Sequence, residues 1–331
     1  MNLYPLKFKP VIKEKIWGGE LLNPYLPVSL QGSQIGEIWT LSGYDESETV
    51  VTNGYLADNT INELVEVYMG ELVGDRIYEH FGNQFPILIK LIGAGDKLSV
   101  QVHPDDNYAQ NKGYDNGKNE FWYVLRSDSG RLIGGVQQGV TLDKLKESIE
   151  NNTLNSLLCE YEVKEGDCML IESGMVHALG SGVCVVEIQQ TSDLTFRIYD
   201  YDRTDAQGNK RPLHIKEALS VINTGAKADI KNCNTDEIPL VSNLCKHHYF
   251  TINQLTVDKP IGRDYATLDS FVIFVCIEGQ VELQTENGNA DVKCGETVLV
   301  PCSLNDVVLI PKNEKSKVLE VYIDSQINGR N

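Results

Sequence analysis

Short runs of Val, Ile, Leu and aromatic residues, broken by Gly, Asp and Asn, recur along the chain and predict β-strands. Residues 35–42 (IGEIWTLS), 87–103, 120–126, 168–172, 183–190, 271–277 and 296–301 fit this pattern. Four segments carry a helical period instead. Thr60 with Glu63 three residues on predicts a capping box, and Ile61, Leu64 and Val65 begin the apolar stripe behind it. Leu72, Val73, Ile77, Tyr78 and Phe81 form a second stripe, Leu142, Leu145 and Ile149 a third, and Ile215, Ala218, Leu219 and Ile222 a fourth. Residues 224–240 (TGAKADIKNCNTDEIPL) are polar and without period, and predict a linker. The pattern therefore predicts a mainly β chain divided into residues 1–235 and 236–331, the second part all-β.

The two parts share a repeat. Gly166 is followed by five residues, then Glu172, Ser173, Gly174, two more and His177; Gly295 is followed by five, then Pro301, Cys302, Ser303, two more and Asp306. The frame G-x5-P-x-G-x2-H resembles the second signature of the cupin superfamily, which builds double-sheet barrels. The expected fold is two cupin (jelly-roll-like) β-barrel units with a few short helices. The first copy keeps the His and reads as the metal-competent, catalytic domain with helical insertions. The second has Asp306 in its place and reads as structural.

Residues 97–103 alternate strictly, and a strand here presents Lys97, Ser99, Gln101 and His103 on one face. Taken singly, each fits a surface strand. Glu120, which opens the next strand with Lys118 two residues before it, and His177 change that reading, because the cupin frame brings two His and one Glu to one mouth of the barrel. A His2Glu set suits zinc, and Gln101, on the face of His103, is the natural fourth donor. One carboxylate against a divalent ion leaves net positive charge and Lewis acidity. His80, His214, His247 and His248 lack such partners and are expected to be non-ligands. Further on, residues 183–203 alternate, and one continuous strand would set Glu187, Gln189, Thr191, Asp193, Thr195 and Arg197 on one face; even with a break near Thr191 and Ser192, Asp193 and Arg197 stand four apart and can face one pocket.

Charge and composition narrow the function classes. With 29 Lys and Arg against 47 Asp and Glu, the net charge is −18, which argues against non-specific nucleic-acid binding. No apolar run approaches the ~20 residues of a bilayer span, and the N-terminus lacks the apolar core of an export signal. The eight cysteines include no CxxC pair and are expected as reduced, mostly buried thiols in a cytoplasmic protein.

LKFKPVIKEKIWGG at 6–19, GEIWTLSG at 36–43, LSVQVHPDD at 98–106, GKNEFWYVL at 117–125, and GMVHALGSG with EIQQTSDLTFRIYDYDR at 174–203 together resemble the type I mannose-6-phosphate isomerases, in their short bacterial form. The resemblance implies reversible conversion of mannose 6-phosphate to fructose 6-phosphate through a cis-enediol, with one zinc per chain. It matches Gln101, His103, Glu120 and His177 to the metal ligands, Arg197 to the active-site arginine, and Asp193 and Lys118 to catalytic-pocket residues. The chain departs from the longer members, which have His-Lys-Pro-Glu where it has Gly117-Lys118-Asn119-Glu120, and it lacks their long helical insertion. For the substrate phosphate, Ser99, Lys97, Lys118, Arg197 and Arg203 are candidates. Competing readings are an iron-dependent cupin oxygenase, a non-catalytic sugar-phosphate binder, and an isomerase of another aldose or aldose phosphate. The residues do not indicate an oligomeric state.

Overall fold

The computed structural model describes residues 2–205, 207–233 and 240–324. The chain is mainly β with few helices and divides into two compact units: Met1–Val11, Trp39–Ile89 and Thr235–Asn331 form one, Ile12–Ile38 and Lys90–Asn234 the other. The units are thus not the sequential pair 1–235 and 236–331. Strand pairing is the reason: Leu6 registers with Leu299 and Lys7 with Val298, so the N-terminal strand Leu6–Lys9 extends a sheet built by the C-terminal segment. The Phe85 ring likewise packs 4.7 Å from Phe271.

The first unit holds a seven-stranded sheet in the order Val241–Lys246, Thr251–Val257, Ser316–Tyr322, Val272–Glu278, Thr297–Val300, Leu6–Lys9 and Val50–Val51. A four-stranded sheet runs Ile261–Asp264, Asp306–Pro311, Gln280–Thr285 and Gly288–Lys293. Val257, Phe274 and Val298 from one sheet meet Val281, Val292 and Leu309 from the other in one buried cluster, the expected result of alternation with one apolar face. The capping box forms at Ile61–Tyr68: Thr60 Oγ1 accepts from the Glu63 amide and the Glu63 carboxylate from the Thr60 amide. The second apolar stripe breaks in two, Gly70–Val73 and Asp75–Phe81, at Gly74, whose φ of +98° lies where a side chain is strained.

The second unit's larger sheet runs Lys231–Asn232, Asp167–Ile171, Glu120–Ser127 and Val183–Gln190, followed by residues 90–94, 35–38 and 12–14. The five-stranded sheet is Phe196–Tyr199, Val100–Val102, His177–Leu179, Arg131–Val136 and Leu158–Glu162. The predicted helices Leu142–Glu150 and Ile215–Val221 cover one face of this sheet, packing Leu145 and Ala218 against Val100, Val102, Ile133 and Ile198. The other face meets the larger sheet through Leu132, Leu179, Trp122, Met169 and Val185.

Several expectations are corrected. None of the four sheets, among the described residues, closes into a barrel; each unit is instead a pair of open sheets. The stretch 87–103 is two strands, Ile87–Ala94 and Val100–Val102, in different sheets, because Gly95 and Asp96 turn the chain. The linker begins later than its composition suggests: Ala226, Ala228 and Ile230 pack on the core, and Lys231–Asn232 pairs with Asp167–Ile171. Residues 234–239 of that segment lie outside the described residues. A short helix, Asp106–Asn111, capped by Asp105, was not expected. No helix among the described residues is long and apolar enough to cross a membrane.

Candidate metal centre and cavity

The repeat places His177 by local geometry. Gly166 takes φ +83° before the strand Asp167–Ile171, Gly174 takes φ +86° in the turn that follows, and His177 opens the next strand. In the second copy Gly295 takes φ +85° before Thr297–Val300, and the exposed Asp306 opens Asp306–Pro311.

In the five-stranded sheet, Gln101 is opposite both His177 and Arg197, so three neighbouring strands set Arg197, Gln101 and His177 in one row facing the same way. Ser99, two residues before Gln101, shares that face and accepts a hydrogen bond from Arg197 Nε at 3.2 Å. The facing sheet registers Glu120 with Gln189 and Trp122 with Glu187. The polar faces of both sheets thus turn inward. His103, Glu120 and His177 are 1%, 0% and 0% exposed.

These three residues offer ligand atoms that all lie within 4.8 Å of one another. His103 Nδ1 donates to the Leu194 carbonyl at 2.8 Å and His177 Nδ1 to the Met175 carbonyl at 2.9 Å. Carbonyls only accept, so each neutral ring keeps its proton on Nδ1 and its lone pair on Nε2. Those lone pairs meet carboxylate oxygens: His103 Nε2 is 3.2 Å from Glu120 Oε1, and His177 Nε2 is 3.6 Å from Oε2. His103 Nε2 and both Glu120 oxygens find no hydrogen-bond partner, although the Lys118 ammonium stands 2.9 Å from Oε1. Acceptors converging on acceptors in a dry interior is the arrangement a cation resolves, and carbonyl-anchored imidazoles are the usual orientation of metal-binding His.

Electrostatics agree. Burial, then the Lys118 charge, push His103 down to about 3, and burial lowers His177, so both rings are neutral. Burial works against ionisation of Glu120, but the Lys118 ammonium beside it opposes burial, and the carboxyl lies well below its usual range. Gln101 Nε2 lies 3.4 Å from His177 Nε2, and its Oε1 faces the Ser99 hydroxyl at 3.4 Å.

A cavity of about 230 Å³ opens beside this group. It is lined by Ser99, Gln101, Lys118, Asp193 and Arg197, as the sequence led us to expect, and by Trp17 and Thr195. The strand from residue 183 ends at Gln190 and the next, Phe196–Tyr199, joins the other sheet; the crossing segment carries Asp193 and Thr195 over the cavity. Burial disfavours the charged form of Asp193, but the lysines Lys90, Lys118, Lys15 and Lys13 outweigh it and lower its carboxyl.

Two expected phosphate candidates lie elsewhere. Lys97 is exposed, with Nζ 3.8 Å above the Tyr201 ring, and Arg203 binds Asp200, Asp96 and the Lys97 carbonyl. Neither lines the cavity. Lys97 directly follows the bend at Gly95 and Asp96, and its side chain lies over the Tyr201 ring rather than on the face of Ser99 and Gln101.

Four charged residues of the cavity were missed, Lys15, Glu37, Lys90 and Arg211, while Glu187 was expected only as sharing a strand face with Asp193 and Arg197. Lys90 Nζ sits 3.1 Å from Glu187 Oε1 and 2.7 Å from Gln189 Oε1, while Trp122 Nε1 donates to Glu187 Oε2 at 2.8 Å. A single charge within each of the apolar runs FPILIKLIGA and VCVVEI was the available signal, since a buried charge needs a partner. Arg211 has no such signal. It reaches the cavity because Asp200 accepts from its Nε at 2.8 Å, while Arg197 Nη1 donates to the neighbouring Pro212 carbonyl at 2.9 Å.

Comparison with known proteins connects this geometry to a family. Residues 5–125 match the family model for the phosphomannose isomerase type I catalytic domain, and residues 241–312 that for the mannose-6-phosphate isomerase cupin domain. The chain is 33% identical over 315 residues to mannose-6-phosphate isomerase ManA of Bacillus subtilis (strain 168), covering 93% of this chain and 96% of that protein. It is 37% identical over 232 residues to mannose-6-phosphate isomerase of Streptococcus mutans, covering 68% and 70%. The crystal structure of the mannose 6-phosphate isomerase from Bacillus subtilis superposes with a TM-score of 0.81 at 29% identity, covering 96% of this chain and 99% of that one. Identity of this extent along nearly the whole chain, with the same fold, makes the protein a member of the type I phosphomannose isomerase family.

Proposed function

We propose that the chain interconverts mannose 6-phosphate and fructose 6-phosphate, with one zinc ion held by His103, Glu120, His177 and Gln101. The observation that carries this reading is the convergence of His103, Glu120 and His177 on one point beside a cavity lined by Lys118, Asp193 and Arg197, in a chain of this family. Gln101 joins the set when its side-chain amide turns over, which exchanges Nε2 for Oε1 beside His177 Nε2. Two imidazoles, one carboxylate and one neutral amide suit zinc, which when bound supplies Lewis-acid polarisation of substrate oxygens.

The residues of the chain account for the rest. In the open-chain aldose, a proton leaves C2 and one returns at C1, by way of a cis-enediol. Lys118 and Arg197 supply positive charge to the oxyanion that develops at O1 and O2. Asp193, ionised among lysines, and the Lys118 ammonium are the groups assigned to proton movement at the edge of the cavity. Ser99 and Arg211 are assigned to the 6-phosphate, the Arg211 guanidinium being suited to a bidentate contact. Trp17 and Trp122 give the cavity an apolar wall that limits water. The two-unit cupin architecture, a cytoplasmic location and a small-molecule partner, with no nucleic acid or membrane, belong to the same proposal.

A coupled assay of fructose 6-phosphate formation, run before and after chelation and again after zinc return, tests it. Turnover that disappears and returns with zinc is the expected result. One bound zinc per chain without turnover of mannose 6-phosphate overturns it and directs the assay to other aldose phosphates or to a binding role.

A further inference from the structure

We propose that Cys168 and Cys233 form an oxidation site that closes to an intramolecular disulfide when the folded protein meets a hydroperoxide. Their sulfurs stand 2.8 Å apart, and both residues are buried. A disulfide bond is about 2.05 Å long, so the two sulfurs need to approach by less than one ångström.

The backbone already holds them there. Asp167 registers with Asn232 and Cys168 with Lys231, and the Cys233 amide donates to the Gly166 carbonyl at 2.7 Å. Residues two apart on a strand share a face, so Cys233 joins Lys231 on the side to which Cys168 points. The Cys168 contact also lowers the Cys233 thiol below its ordinary value, which favours the thiolate that reacts with peroxides.

The pair lies on the side of the strand away from the cavity. Met169 and Ile171 point into the cluster that includes Trp122, and Cys168 alternates with them. Bond formation here is expected to leave the cavity in place. It does tie together residues 65 positions apart, which restricts the unfolded chain.

The chemistry balances. The thiolate of one cysteine attacks the outer peroxide oxygen, breaking the O–O bond and releasing an alcohol, or water from hydrogen peroxide. The sulfenic acid so formed is attacked by the second thiol, releasing water and forming the S–S bond. The dithiol loses two electrons and two protons, and the peroxide gains them.

The test treats the metal-loaded full chain with hydrogen peroxide and maps its peptides by mass spectrometry without reduction. A linked Cys168–Cys233 peptide, lighter by the two thiol hydrogens and separated by dithiothreitol, is expected. The Tm should rise by roughly 5–10 °C, with kcat unchanged. Cys233→Ser and Cys168→Ala should each lose both the link and the rise, while Cys159→Ser keeps them. Recovery of Cys168 and Cys233 as separate alkylated thiols after peroxide, or a rise in Tm that survives Cys233→Ser, overturns the proposal.

Discussion

Two glutamates, one in each unit, are wholly buried on strands, and their surroundings are opposite. Glu320 in the first unit is saturated with donors: Arg263 Nε at 2.8 Å and Nη2 at 3.0 Å, Asn253 Nδ2 at 2.7 Å, and the Tyr265 hydroxyl. Glu120 in the second unit faces the lone pairs of two imidazoles, with the Lys118 ammonium on one side. A carboxylate that serves the fold has its oxygens answered by fixed protein donors. One whose oxygens are left facing other acceptors is strained unless a cation completes it. The difference separates a structural interior from one prepared for a ligand, although both units grow from the same strand–turn–strand repeat.

Substitutions sharpen the contrast. Glu120→Gln should have the largest effect: bound metal falls towards zero and turnover drops by about 10³-fold or more, read by metal analysis and the coupled assay. Normal metal content would break the comparison at its centre. Arg197→Ala is expected to keep the metal while lowering turnover by roughly 10²–10³-fold; an unchanged kcat would remove Arg197 from the reaction. Glu320→Ala should do the reverse. It leaves the Arg263 guanidinium and the Tyr265 hydroxyl without their acceptor and costs about 3–5 kcal/mol, seen as a lowered denaturation midpoint with kcat at 25 °C intact. The smallest effect is that of chelation on stability. Activity should disappear, yet the cooperative thermal transition should persist with Tm lowered by a few degrees, because two extensive apolar cores do not depend on one ion. A chelated protein without a cooperative transition would contradict this.

Much of the candidate site is readable along the chain because it is local. The Gly166–Gly174–His177 frame, the Gln101–His103 spacing and Lys118–Glu120 each sit within a strand or turn whose geometry follows from nearby residues. Alternation shows that Ser99, Gln101 and His103 share a face, but a polar face usually meets water. Only the second sheet, with Glu120, Glu187 and Gln189, turns this one into an interior. Lys97 shows the opposite failure: the period runs through it, but its side chain lies over the Tyr201 ring, away from the cavity.

The sequence by itself determined the mainly β character, the helices with their capping box, the repeat and the residues with metal-binding chemistry. All of these depend on short-range periodicity, turn conformation and side-chain type. The tertiary structure decided which strands share a sheet, that residues 1–11 and 39–89 cluster with the C-terminal segment, and that the sheets stay open. It also decided that Lys90, Glu187 and Arg211 belong to the cavity while Lys97 and Arg203 do not. Such outcomes rest on pairings such as Leu6 with Leu299, between residues far apart in the chain, and no local pattern encodes the register of a distant strand.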